Sequence, residues 1–135
     1  MKKIKCISPD ETFFIFGIPP GKYACPICGS LELKHPPYHE DGTASFEMCT
    51  CGFEFGFDDC PFASKEAVEG IQANWKRWRE KVIRKHSVDS DSLNALEKNL
   101  RNINLRLAYD LIPVEIEEDE DDGTNSITSL RDSTP

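Results

Sequence analysis

Two short cysteine turns constrain this chain more than anything else in it. Residues 25–29 read CPICG and residues 49–52 read CTCG, so each places two thiols close together with a glycine just after the second. Such a turn is a good bidentate metal clip. The proline of the first stiffens the loop, the glycine permits a positive φ after the second ligand, and backbone amides can point at the sulfurs. Two clips supply the four thiolates of a tetrahedral structural zinc site. The candidate ligands are therefore Cys25, Cys28, Cys49 and Cys51, around one Zn2+. The second turn has one residue between its cysteines instead of two. Cys51 keeps the usual relation to Gly52, whereas Cys49 must reach the ion from a tighter bend. Cys60, His35 and His39 are the alternatives for that fourth place. Cys6 and Cys60 stand apart from the pairs and are expected to be unligated small hydrophobes.

Other readings of the cysteines fit less well. Three disulfides would suit a secreted chain, but the opening MKKIKCISPDETFFIFGIPPG is a poor signal peptide, because Asp10 and Glu11 interrupt it and its apolar run is short. The expected location is the cytoplasm. No apolar run is long enough to span a bilayer. A thioredoxin-like redox role for CPIC calls for alternating strands and helices with the motif at a helix N-terminus; Gly29 and the second pair argue against it. A catalytic zinc keeps a position open for water, four thiolates leave none, and no recognisable motif places a base nearby. The expectation is a protein that is not an enzyme.

Along the chain, residues 12–18, TFFIFGI, read as a short buried strand leading into a turn at PPG, 19–21. Residues 22–60 are rich in Cys, Gly, Pro and aromatics, which suits short strands and loops around a metal. SFEM and FEFGF can pair as strands flanking the second cysteine turn. From Ser64 the pattern becomes helical: Val68, Ile71, Trp75, Trp78 and Val82 fall at steps of three and four, with Ser64 as N-cap and a basic C-terminal end. After a polar break, Leu93, Leu96, Leu100, Ile103 and Leu107 mark a second helix, capped by Ser90 or Ser92 and ending before Pro113. The fold class is thus α+β: a small zinc-ribbon-like antiparallel β module at about 22–60, a helical hairpin at about 64–112, and a flexible acidic tail. Residues 1–112 are read as one domain and 113–135 as the tail.

The net charge of −8 is concentrated. Residues 113–135 hold eight acids and one base, leaving residues 1–112 nearly neutral. Glu117, Glu118, Asp119, Glu120, Asp121 and Asp122 are candidate contacts for a basic protein partner, through long-range attraction. Residues 74–86, NWKRWREKVIRKH, mix bases with tryptophans. The bland reading puts both tryptophans in the core and the bases on a solvated face. The alternative is a nucleic-acid surface built from Lys76, Arg77, Lys81, Arg84 and Lys85. Asp58 and Asp59 are expected to accept hydrogen bonds near the second cysteine turn rather than to hold a second cation.

Residues 22–59 resemble the CPCC family of small cysteine-rich bacterial proteins. Tyr23, Cys25, Pro26, Cys28 and Gly29 carry the likeness, with PPY at 36–38, SFEMC at 45–49 and CGFEFGFDD at 51–59. Trp75, Trp78 and Arg79 extend it downstream. The sequence departs from the family at MCTCG, where two residues usually separate the cysteines. The resemblance implies a zinc-ribbon-like module, of a kind often found in accessory or immunity proteins of bacterial toxin systems. The expected function is binding and neutralisation of a cognate toxin; a nucleic-acid-binding zinc ribbon is the alternative.

Overall fold

The computed structural model describes residues 1–116, and the acidic positions 117–122 lie outside them. The architecture is α+β, with antiparallel strands and two helices. β1 (Lys2–Ile7) and β2 (Thr12–Ile18) pair antiparallel from Lys2↔Gly17 to Ile7↔Thr12, and β3 (Lys22–Tyr23) joins the far end of β2. Alternation along the strands buries Cys6, Phe13 and Ile15 on one face. The strand at 12–18 and the turn at 19–21 lie where the sequence places them. β1 was not anticipated, although Lys3, Ile4, Lys5 and Cys6 carry a period of two.

Residues flanking the second cysteine turn approach each other as expected but do not make regular strands. Met48 and Glu54 form a single antiparallel bridge, with Phe55 N–H donating to Glu47 O at 3.1 Å. Positive φ at Phe46, Gly52 and Gly56 interrupts the extension on both sides.

The first helix starts later than its apolar spacing suggests. Residues 60–69 form successive turns, and α1 (Ile71–His86) begins after Gly70, whose φ of 99° ends any continuous helix from Ser64. Val68 therefore precedes the helix. Its backbone is held by buried Asn74, whose Oδ1 accepts from Val68 N–H at 2.8 Å and whose Nδ2 donates to Val68 O at 2.6 Å. Gly70 supplies no side-chain cap. Glu11, from the β1–β2 turn, accepts instead from the Ile71 and Gln72 amides at 2.7 and 3.1 Å.

The second helix is also corrected. α2 (Ser90–Leu100) is capped by Asp89, which accepts from the amides of Asp91 and Ser92, and not by either serine. It stops at Leu100. A 3-10 turn, Arg101–Ile103, ends at Asn104 in the left-handed region, φ 61°, a conformation asparagine tolerates. The apolar positions that continue the helical period then belong to β4 (Leu105–Leu107), which pairs antiparallel with β5 (Pro113–Glu115). Pro113 thus lies within a strand.

One core joins these parts. An aromatic string runs from Phe13 through Trp75 and Tyr38 to Phe55, Phe53 and Trp78, with neighbouring ring centroids 5.2–5.7 Å apart. Such edge-on and tilted contacts add to the burial of large apolar surfaces. The string ends at the cysteine turns.

Candidate metal centre

Both cysteine turns close on themselves in the same way, one residue out of step. In the first, Gly29 N–H donates to Cys25 O at 2.8 Å and Cys25 N–H donates to Ser30 O at 2.8 Å. In the second, Gly52 N–H donates to Cys49 O at 2.8 Å and Cys49 N–H donates to Phe53 O at 3.0 Å. Each ring of the second turn spans one residue fewer, which absorbs the shorter spacing between its cysteines. Gly29 and Gly52 have φ of 81° and 95°, the region that glycine enters without steric cost. In each turn an amide two residues on donates to the first sulfur: Ile27 N–H to Cys25 Sγ at 3.4 Å, and Cys51 N–H to Cys49 Sγ at 3.5 Å.

The Sγ atoms of Cys25, Cys28, Cys49 and Cys51 all lie within 4.8 Å of one another. Cys25 and Cys51 Sγ are 3.9 Å apart, and Cys28 and Cys49 Sγ are 3.6 Å apart. A regular tetrahedron with metal–sulfur bonds of about 2.3 Å has edges of about 3.8 Å. The donor set fits a metal ion in size, number and chemistry. Burial pushes the Cys25 thiol far up, while hydrogen bonds from the Cys25, Cys49 and Cys51 thiols hold Cys28 well below the usual thiol range. Thiolates this close repel one another, and a divalent cation among them offsets that repulsion.

The helices hold the turns by their backbones. Arg79 of α1 is buried, and its guanidinium donates to Ile27 O at 2.8 Å and Pro26 O at 2.6 Å, inside the first turn. Trp78 Nε1 donates to Cys51 O at 3.0 Å, inside the second. Asn102 Nδ2 donates to Gly29 O at 2.9 Å. Gly29 lies so close to the end of α2 that a Cβ there would stand 1.9 Å from Asn99 O. Beneath the second turn, Trp75 Nε1 donates to Tyr38 Oη at 3.1 Å, and Tyr38 in turn donates to buried Asp59 Oδ2. Asp59 Oδ1 accepts from Gly56 N–H at 2.9 Å, and Asp58 from Glu54 N–H at 2.8 Å, the backbone roles expected of this pair. Burial raises the Asp59 carboxyl, against the pull of its hydrogen bonds.

Arg79 was missed as a structural residue. Among the bases of 74–86 it reads as part of a solvated face, but burial lowers its pKa and the Cys25 and Cys28 sulfurs draw it back up. Lys76, Arg77, Lys81, Arg84 and Lys85 are exposed. Two of them are engaged by one residue: Lys81 pairs with Glu66 at 3.0 Å and Arg77 donates to Glu66 O. Cys6 is buried on the sheet, with Sγ 3.7 Å from Tyr38 O, and burial with the charges of Glu40 and Asp41 pushes its thiol up to about 11. Neither Cys6 nor Cys60, nor His35 or His39, joins the four-sulfur group. A nearby carboxylate that the sequence did not single out, Glu32, accepts from Thr50 N–H at 2.8 Å and from the Cys49 thiol at 3.2 Å.

No helix among the described residues is long and apolar enough to cross a membrane. Comparisons find no matching family model, curated protein or solved structure.

Proposed function

We propose that this chain is a zinc-stabilised, non-enzymatic bacterial binding protein whose partner is a protein, a basic toxin that it neutralises, with cytoplasmic location. The four-sulfur group carries the reading. Four thiolates complete a tetrahedral shell and leave no position for substrate or water, the arrangement of a structural ion. Zinc suits an all-thiolate tetrahedron, which a single iron also fits. Cys25, Cys28, Cys49 and Cys51 would hold the ion; when bound, it supplies a rigid crosslink between the turns. Four thiolates on a divalent ion leave a net charge of about −2, and the buried Arg79 guanidinium beside them offsets part of it. The toxin-neutralising role is supported by the family resemblance of residues 22–59 and by Glu117, Glu118, Asp119, Glu120, Asp121 and Asp122, which suit a basic partner. The basic-helix alternative gains no specific support, because Glu66 engages Arg77 and Lys81.

The experiment is purification of the tagged full-length chain from its own host without chelator, followed by elemental analysis and identification of protein retained at high salt. About one zinc per chain is expected, lost in Cys28→Ser. One stoichiometric protein partner is expected, toxic when expressed alone and harmless when this chain is coexpressed. Iron in place of zinc overturns the cofactor, absence of metal overturns the site, and a retained partner without toxicity overturns the neutralising role.

A further inference from the structure

The last described residues sit at a groove. β5 runs back along β4 towards the 3-10 turn, with Glu115 opposite Leu105, and Ile116 N–H donates to Asn104 O at 2.8 Å. That turn packs on β2. Glu115 and Ile116 therefore line a cavity of about 460 Å³ together with Lys3, Phe14 and Phe16 of the hairpin and Lys76 of α1. The pairing of β5 thus delivers the chain to the outer side of β1–β2.

That side is cationic. Strand parity places Lys3 and Lys5 of β1 on it, opposite Phe16 and Phe14 of β2. Residues 1–7, MKKIKCI, contain no acid, and Lys3, Lys5 and Lys76 are all exposed. Phe16 packs on the core, whereas Phe14 is 43% exposed, with the Lys3 ammonium 4.5 Å from its ring centroid. The residues that follow Ile116 are EEDEDD, 117–122. In an extended chain, side chains on one side recur about every 6.7 Å. Lys3 and Lys5 have that same spacing along β1. Six extended residues reach about 20 Å, enough to cross the groove rim and follow β1. Single exposed ion pairs contribute little, but a tethered run of acids meets the lysines at high effective concentration and engages several at once.

We propose that the occupant of this face is the chain's own acidic segment: residues 117–122 continue from β5 across the groove and set their carboxylates against Lys3, Lys5 and Lys76. Glu115, already at the rim, is the first acid of the same run. The contact requires neither the metal nor a toxin. It does bear on partner binding, because the six acids that suit a basic partner are the ones the lysine face holds. Such a partner competes with Lys3, Lys5 and Lys76 for them. The face is distinct from the bases Arg77, Lys81 and Arg84 further along α1.

The test is backbone NMR of the full-length chain, with the amide heteronuclear NOE read at about 0.01 M and about 1 M salt, between which the screening length falls from about 30 Å to about 3 Å. At low salt, residues 117–122 should be nearly as rigid as β5; at high salt they should become as mobile as residues 128–135. Lys5→Glu combined with Lys76→Glu should release them at low salt, and Arg84→Glu should not. Replacing the six acids by Gln and Asn should move the amide resonances of Lys3, Lys5 and Phe14. The salt and tail experiments leave the folded part of the chain unaltered, so they decide the matter even if the lysine variants unfold. Residues 117–122 as mobile at low salt as 128–135 would overturn the proposal. So would resonance changes centred on Arg77, Lys81 and Arg84. Hairpin resonances that move on adding oligothymidine, while those of 117–122 stay in place, would give the face to a separate polyanion and overturn it too.

Discussion

Gly29 and Arg79 act on the same turn from opposite sides, and they were not equally legible. Gly29 announces itself, because a glycine after the second cysteine implies a positive φ. What the sequence hides is its second constraint, the end of α2 pressed against it. Gly29→Ala combines strain at φ 81° with a Cβ 1.9 Å from a backbone carbonyl, which cannot rotate away. The variant should lose about 3 kcal/mol in urea denaturation, whereas Gly21→Ala, with φ 83° but open space around it, should lose only about 1 kcal/mol. Arg79 did carry a local signal: it stands four residues after Trp75 and three before Val82, on the buried stripe of α1, whereas Lys76, Arg77, Lys81, Arg84 and Lys85 fall off it. What that period cannot give is the partner, the first cysteine turn, whose carbonyls the guanidinium meets. Arg79→Met should cost about 2–4 kcal/mol by leaving the Pro26 and Ile27 carbonyls without their donor. Arg79→Lys keeps the charge but not the fork and should fall between Met and the native residue in the same measurement.

Elements were legible where their period was long and their ends carried a signal. The strand at 12–18 has an unbroken apolar run and a Pro-Pro-Gly stop. α1 and α2 have clean stripes, yet both were drawn too long. The stripe of α1 extends back to Val68, which is half-buried before the helix, and that of α2 forward to Leu107, because Ile103, Leu105 and Leu107 pack on the same core. Periodicity reports burial, and burial does not stop where a helix does. Gly70 bars a backward extension of α1, and Asn104 closes the 3-10 turn that follows α2, each through positive φ. The missing N-cap of α1 is supplied from far away in sequence, which no local rule can find. Partial burial alone would raise the Glu11 carboxyl, but the Gln72 side chain and the Ile71 and Gln72 amides hold it below its ordinary 4.5. A carboxyl depressed in the folded state contributes stability above its unfolded pKa and loses it as pH falls through the folded value. Glu11→Gln should therefore be less stable at neutral pH, by no more than about 1 kcal/mol because solvent screens a partly exposed carboxylate. The gap between the two chains should close as pH drops below 4.5. Urea denaturation of both at pH 7 and at low pH measures it; thiolate protonation at low pH affects both chains alike and cancels in the comparison.

At the scale of the whole molecule, the cysteine turns and the helices are not separate modules joined by a loop. Three side chains from the C-terminal half, Trp78, Arg79 and Asn102, donate to carbonyls within the two turns. Phe53 carries the aromatic string from Trp78 to Phe55 and on to Tyr38. The turns contain few aliphatic residues of their own, so without an ion their geometry rests on these contacts and on four crowded thiols. A structural zinc contributes on the order of 10 kcal/mol or more, comparable to the entire stability of a domain this size. On the proposed reading, loss of a zinc from the four sulfurs should therefore reach the helices. Titration with a strong chelator at neutral pH should lower the far-UV helical signal and red-shift the fluorescence of Trp75 and Trp78 together, at one midpoint set by metal occupancy. Re-addition of zinc should restore both. If the turns were an independent ribbon, the helical signal would persist while the tryptophan environment changed, and two midpoints would be seen. Arg79→Lys sharpens the comparison: with the clamp weakened but the ligands intact, less chelator should be needed, and the two signals should still move as one.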